Sequence, residues 1–253
     1  MAGKAPSEPI EALDAVGLSD TMRKYLAEIY RLADHGETDA HTLPEPAGQA
    51  LLGHPFVSTS ALADLLNVSA PAVNRMISKL RETGLLLHEP YQGIRLTPAG
   101  EREALKQLRR QRIVEAFLVT VMHFGWHEVN DEAARMSANL TERLIERMAR
   151  MAGNPTTCPH GEPIADADGV IVAPDDILLT HAPHKLLLTI TRVRTRERDR
   201  LEYLAALGLT PHSTVEVLHA APFNGPLQLR VGKEYRIVGH NLAEMIRVAR
   251  ESG

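Results

Sequence analysis

The chain has 253 residues, a formal net charge of −4, and 44% hydrophobic and 24% charged residues. That length suits two or three small domains, and the net charge excludes a general polyanion binder, so any nucleic-acid contact must come from a local basic face. The single cysteine, Cys158, excludes an internal disulfide; with no signal peptide and no long apolar run, a reducing, cytoplasmic setting without a membrane partner is expected.

In chain order, residues 1–17 are polar and Pro-containing and read as a flexible N-terminus. Ser19 or Asp20 caps a first helix to about Ala33, with the apolar stripe Met22, Tyr25, Leu26, Ile29 and Leu32. Residues 34–56 interrupt the pattern with Pro44, Pro46, Gly48, Gly53 and Pro55 and read as an insertion. A short helix follows over about 60–66, then a tight turn at Asn67 and Val68. Ser69 can cap a second helix with Pro71 in its first turn, where a missing N–H costs nothing. That helix buries Val73, Met76, Ile77 and Leu80 and leaves Ala72, Asn74, Arg75, Ser78 and Lys79 on its other face. Two helices joined this way form a helix-turn-helix whose second helix fits the major groove. Strands at 85–88 and 94–96 around Pro90-Tyr-Gln-Gly93 add a wing, and Thr97-Pro98 opens the next helix.

Residues 101–124 read as one long helix, with Leu105, Leu108, Ile113, Phe117 and Val121 on its core side and Arg109, Arg110 and Arg112 toward solvent. Residues 128–151 read as a further helix with Ala133, Met136, Leu140, Leu144 and Met148 inward. Two long helices after a winged helix suit a dimer platform that sets two copies on successive half-sites. A Pro-rich linker, with one strand expected at 170–172, leads to a region of period two. There, strands at 186–193, 214–219, 227–231 and 235–238, a helix at 199–207 and a terminal helical turn at 241–248 make a small bent barrel. The fold class is α+β and multi-domain: a winged helix-turn-helix (18–100, with the 34–56 insertion), a helical dimerisation domain (101–155), a linker (156–183) and a C-terminal SH3-like β barrel (184–253).

Several strings resemble one family: Tyr25-Leu-Ala-Glu-Ile-Tyr30, Val68-Ser-Ala-Pro-Ala-Val73, Leu96-Thr-Pro-Ala-Gly100, Trp126-His-Glu-Val129, Asp131-Glu-Ala133 and Cys158-Pro-His-Gly161. They are similar to the diphtheria-toxin-repressor family of iron- or manganese-dependent transcriptional regulators. The barrel resembles the family's FeoA-type module through Tyr203-Leu-Ala-Ala-Leu-Gly-Leu-Thr-Pro211 and Val215-Glu-Val-Leu218. The resemblance implies a homodimeric repressor of metal-homeostasis genes that binds a palindromic operator in double-stranded DNA, with Mn(II) or Fe(II) as effector. It also implies DNA contacts at the start of the second helix of the helix-turn-helix. Here that gives Ser69, Pro71, Ala72, Asn74 and Arg75 as the base-reading group, and Ser58, Ser60, Ser78 and Lys79 as phosphate contacts.

The family's metal ligands fall on Lys24, Gln111, Glu115, Asn130, Ala134, Ser137 and Ala138, and only Glu115 keeps a strong ligand type. Alanine offers no donor atom, and a lysine repels a cation. Two readings follow. In one, the Lys24 ammonium faces Glu115 in place of an ion. In the other, a different effector (metal, redox or small molecule) acts at His123, His127 and Glu128 or at Cys158 with His160. No phosphate-binding Gly-rich loop or defensible catalytic triad appears, so no enzyme is expected.

Overall fold

A computed structural model describes residues 17–36 and 55–250. The expected N-terminal segment and most of the expected 34–56 insertion lie outside these residues. Helix α1 (Asp20–Gly36) buries Tyr25, Leu26, Ile29 and Tyr30 against α4 (Pro98–Thr120). Helix α2 (Thr59–Leu66) starts where the Ser58 Oγ accepts the Ala61 N–H at 3.2 Å, and it ends at Asn67, whose φ of 51° is tolerated by asparagine. Helix α3 (Ala70–Glu82) buries Val73, Ile77 and Leu80, as the i, i+4, i+7 spacing requires. Ser69 occupies its N-cap position, but contrary to expectation its hydroxyl makes no capping hydrogen bond. Strands β1 (Leu86–Glu89) and β2 (Gly93–Leu96) form the wing, with Leu86 opposite Leu96. Thr97 closes the unit: its Oγ1 accepts the Gly100 N–H and donates to the Gly84 carbonyl.

Helix α4 begins and ends a few residues before the expected 101–124 and runs through two apolar cores. Ala104, Leu105 and Leu108 belong to the winged-helix core; Ile113, Val114 and Leu118 belong to a second core with α5 (Val129–Asn139) and α6 (Glu142–Met151). The single helix expected over 128–151 is therefore two. Leu140 and Thr141 are extended, with ψ of 143° and 155°, and the break resets the helical phase. Ile145 and Ala149 then face inward while Leu144 is exposed. Arg110 stabilises the break by donating to the Ser137 and Leu140 carbonyls. The arginines expected on the solvent side of α4 are structural: Arg112 is buried and donates to the Pro163 carbonyl at 2.6 Å, and Arg109 donates to that of Ala165. A helix surrounded by other elements has little solvent side to offer.

The C-terminal unit is a six-stranded antiparallel sheet in the order β3 (Ile177–Leu178), β8 (Ile246–Arg250), β4 (Leu187–Val193), β5 (Thr214–Ala220), β6 (Leu227–Val231), β7 (Glu234–Val238). Register shifts at Ile190/Arg192 and Val217/His219 bend it around a third core, with α7 (Arg198–Ala206) packed on it. Two expectations fail here. Residues 170–172 form no strand, and of the terminal helix expected at 241–248 only 241–243 are helical, within α8 (His240–Ala243). The chain then becomes β8, an inner strand whose Ile246 and Val248 alternate inward.

Residues 156–164 form a tight hairpin, tied by Ile164 N–H to Thr156 O and Cys158 N–H to Glu162 O, and the His160 carbonyl accepts the Val193 N–H of β4. At its tip Gly161 has φ +86°, and a Cβ there would lie 1.9 Å from the Thr191 carbonyl oxygen. Gly161→Ala should cost about 2–4 kcal/mol. An unchanged denaturant midpoint would show that the hairpin does not dock on β4.

Candidate metal centre and the DNA-facing helix

The hairpin carries Cys158 and His160 to the buried side of α4, against Glu115. Their Sγ, ring-nitrogen and carboxylate atoms all lie within 4.8 Å of one another, and all three residues are buried. The His160 Nδ1 is 3.7 Å from the Glu115 Oε2 and 3.9 Å from the Cys158 Sγ. An ion with bonds of about 2.0–2.3 Å spreads its donors roughly 3–4 Å apart, so the spacing fits a divalent metal. The surroundings fit as well. The His160 Nε2–H donates to the Trp126 carbonyl at 2.9 Å, which fixes the ring and turns Nδ1 toward the other two donors. The Gln111 amide donates to the Glu115 Oε1 at 2.9 Å. Thiolate, imidazole and carboxylate together suit iron or zinc better than manganese.

The electrostatics of the centre are strongly coupled. Burial disfavours the Glu115 carboxylate, but His160, Arg31 and Arg112 outweigh it and hold its pKa below the usual value. Burial likewise opposes charge on His160, yet its hydrogen bonds to Cys158 and Glu115 push it up to about 10.

The positions named by resemblance gather around one cavity of about 1320 Å³ between the winged helix and the helical unit: Lys24, Gln111, Glu115, Asn130, Ala134, Ser137 and Ala138, with Cys158 and His160. They are neighbours, but most bring no ligand atom. Ser137 Oγ turns to the Ala134 carbonyl, and Asn130 accepts from Gln111. Lys24 is exposed and, among the described residues, makes no ion pair with Glu115. Besides His160, the cations near that carboxylate are the buried Arg112 and the largely buried Arg31, whose Nη2 donates to the Gln111 Oε1 at 3.0 Å. His127 pairs with Glu202, Glu128 lies near Arg198, and His123 is exposed in a left-handed turn; none joins the cluster. The helix break contributes a backbone group instead, the Trp126 carbonyl. Arg31 escaped the sequence reading because its α1 position matches no family ligand; only its adjacency to an apolar stripe hinted at burial.

On the DNA-binding unit, Ser58, Ser60, Ser69, Pro71, Asn74, Arg75, Ser78 and Lys79 are exposed and Ala72 is partly so. Ser58 already serves α2 as its cap and lies 2.6 Å from the Ser60 hydroxyl. No helix in the described residues is long and apolar enough to cross a membrane.

Three family models match. The iron-dependent-repressor N-terminal DNA-binding domain covers residues 50–94, the iron-dependent-repressor metal-binding and dimerisation domain 97–166, and the FeoA domain 177–250. The iron-dependent repressor IdeR of Mycobacterium leprae is 26% identical over 243 residues, covering 91% of this chain and 97% of that protein. An uncharacterised HTH-type transcriptional regulator of Methanocaldococcus jannaschii is 35% identical over 92 residues, 36% of this chain and 74% of that protein. A solved manganese-dependent transcriptional repressor in complex with manganese superposes with a TM-score of 0.74 at 29% identity, covering 90% of this chain and 99% of its own.

With burial opposed by Cys158 and Glu115, which push His160 up to about 10, an ion bound through its Nδ1 has to displace a proton. Metal affinity should rise with pH across the neutral range by roughly tenfold per unit for each proton released. Zn(II) competition titrations at several pH values measure this, and a flat profile would mean that His160 is not a ligand.

Proposed function

This chain belongs to the diphtheria-toxin-repressor family of iron- or manganese-dependent transcriptional regulators, and we propose that a divalent ion at Glu115, Cys158 and His160 controls its grip on a palindromic operator. It is a DNA-binding repressor of the metal-dependent type, and the family is one of repressors rather than enzymes. The observation that carries the metal reading is the convergence of three buried donors of metal-ligand type on one point. When bound there, the ion supplies positive charge that ties α4 to the 156–164 hairpin. The chain's own residues do the rest: Trp126 orients His160, Gln111 orients Glu115, and Gly161 lets the hairpin sit against β4.

The exposed start of α3 supports a reading head in the major groove. Pro71 and Ala72 suit thymine methyls, Asn74 suits adenine, and Arg75 suits guanine. Ser58, Ser60, Ser69, Ser78 and Lys79 suit phosphate oxygens. The apolar residues Met122, Phe124, Leu144 and Met151, exposed just beyond α4 and on α6, support a self-complementary dimer face, and a two-fold dimer requires a palindromic site. The regulated genes then belong to metal homeostasis.

The test is operator affinity of chelator-treated protein against protein given Fe(II), on a fragment selected from a random pool. The ion should tighten binding on the order of 5–150-fold, and Cys158→Ala should erase that gain. Chelated protein that binds as tightly as the loaded form would overturn the metal control. On the same fragment, Arg75→Ala should cost roughly 1–3 kcal/mol and relax preference at one base position. A uniform loss on every DNA sequence would reassign Arg75 to the phosphates.

A further inference from the structure

Arg31 lies on α1 with 11% of its side chain exposed, and among the described residues none of its hydrogen bonds is to Glu115, Cys158 or His160. Its Nη1 donates to the Glu28 Oε1 at 2.7 Å and its Nη2 to the Gln111 Oε1 at 3.0 Å. The other Glu28 oxygen accepts from Arg196 Nη2 at 2.8 Å, just ahead of α7 in the C-terminal unit. Gln111 passes the chain of contacts on to Glu115 at 2.9 Å. One unbroken polar path thus runs from the FeoA-type unit (Arg196), through the winged-helix unit (Glu28, Arg31), into α4 (Gln111, Glu115), and ends on His160. At Gln111, a family ligand position, the side-chain oxygen faces a guanidinium rather than an ion.

The chemistry gives this path a direction. With its oxygen held by Arg31, the Gln111 amide must present its NH₂ to Glu115, which fixes that carboxylate for His160. Burial, then the charge of Arg196, pull Arg31 down to about 10, so it stays a cation at neutral pH. A second cation arriving at Glu115 competes with Arg31 for the same negative charge. A guanidinium can hold Glu28 and Gln111 at once through its planar fork; an ammonium cannot match that geometry.

We propose that Arg31 is the positioning residue that couples the Glu115–Cys158–His160 centre to the DNA-binding unit, so that occupancy of the centre is felt at α1. The proposal rests on the reading of those three residues as the metal centre. Its test separates binding from coupling, using the full-length chain with Co(II) as the probe. Co(II) bound through Cys158 gives a thiolate charge-transfer absorption, and operator affinity is measured with and without the ion. In the wild type the band forms and Co(II) tightens operator binding. In Arg31→Met the band should form at equal or lower Co(II) concentration, because a competing charge is gone, while the affinity ratio with and without Co(II) falls to within about twofold of one. Arg31→Lys should keep the charge but restore little of the ratio.

A purely structural role would weaken Co(II) binding and operator binding together and leave their ratio intact; that result overturns the proposal. So does a wild-type band without any change in operator affinity. Absence of the band in the wild type removes the metal centre itself, and the coupling with it. If Arg31→Met does not fold, Gln111→Met cuts the same path one link further on, and an intact ratio there is equally fatal.

Discussion

The structure depends on the pairing of charge that α4 and its neighbours take out of water. The described residues form three separate apolar cores, one under the winged helix, one among α4, α5 and α6, and one inside the sheet. What joins them is largely polar. Arg112 reaches the 156–164 hairpin, and Arg192 and Arg247 hold the buried Asp176. Arg194 pairs with Asp34, and Arg196 pairs with Glu28 on α1. A buried charge stripped of its partner is costly, whereas a correctly paired one adds little net stability. Such contacts therefore fix how the units meet more than how firmly each one folds.

That division suits a regulator. Apolar cores give each unit its own stability, and polar seams between them can exchange partners at modest cost. The proposed metal centre lies in such a seam. Its three candidate donors come from α4 and the hairpin, its orienting carbonyl from the break after α4, and its charge balance from Arg31 on α1 and Arg112 on α4. An ion entering it changes the electrostatics of all of these elements together.

The positions that the family resemblance marks as ligands surround this proposed centre. Ala134 and Ala138 on α5 offer no donor atom and Lys24 is exposed, and all three line one cavity. Glu115 has a thiol and an imidazole from the hairpin as neighbours, with Arg31 and Arg112 nearby.

Much of this was readable in the residues themselves. Asn67, Pro71, Thr97 and Pro98 mark helix ends by local backbone chemistry, and the Val73, Ile77, Leu80 spacing sets which face of α3 is buried and which is exposed. These signals act within a turn or two of chain, so no tertiary information is needed to read them. The same holds for the Cys158/His160 pair, two residues apart. The break at Leu140, the strand β8 and the burial of Arg112 were not readable, because each is decided by partners far along the chain: Arg110, the neighbouring strands β3 and β4, and the Pro163 carbonyl. Nor did any local pattern bring Glu115 to Cys158, or place Arg31 rather than Lys24 beside it. Where buried charge is paired depends on which helix crosses which, and only the packed structure decides that.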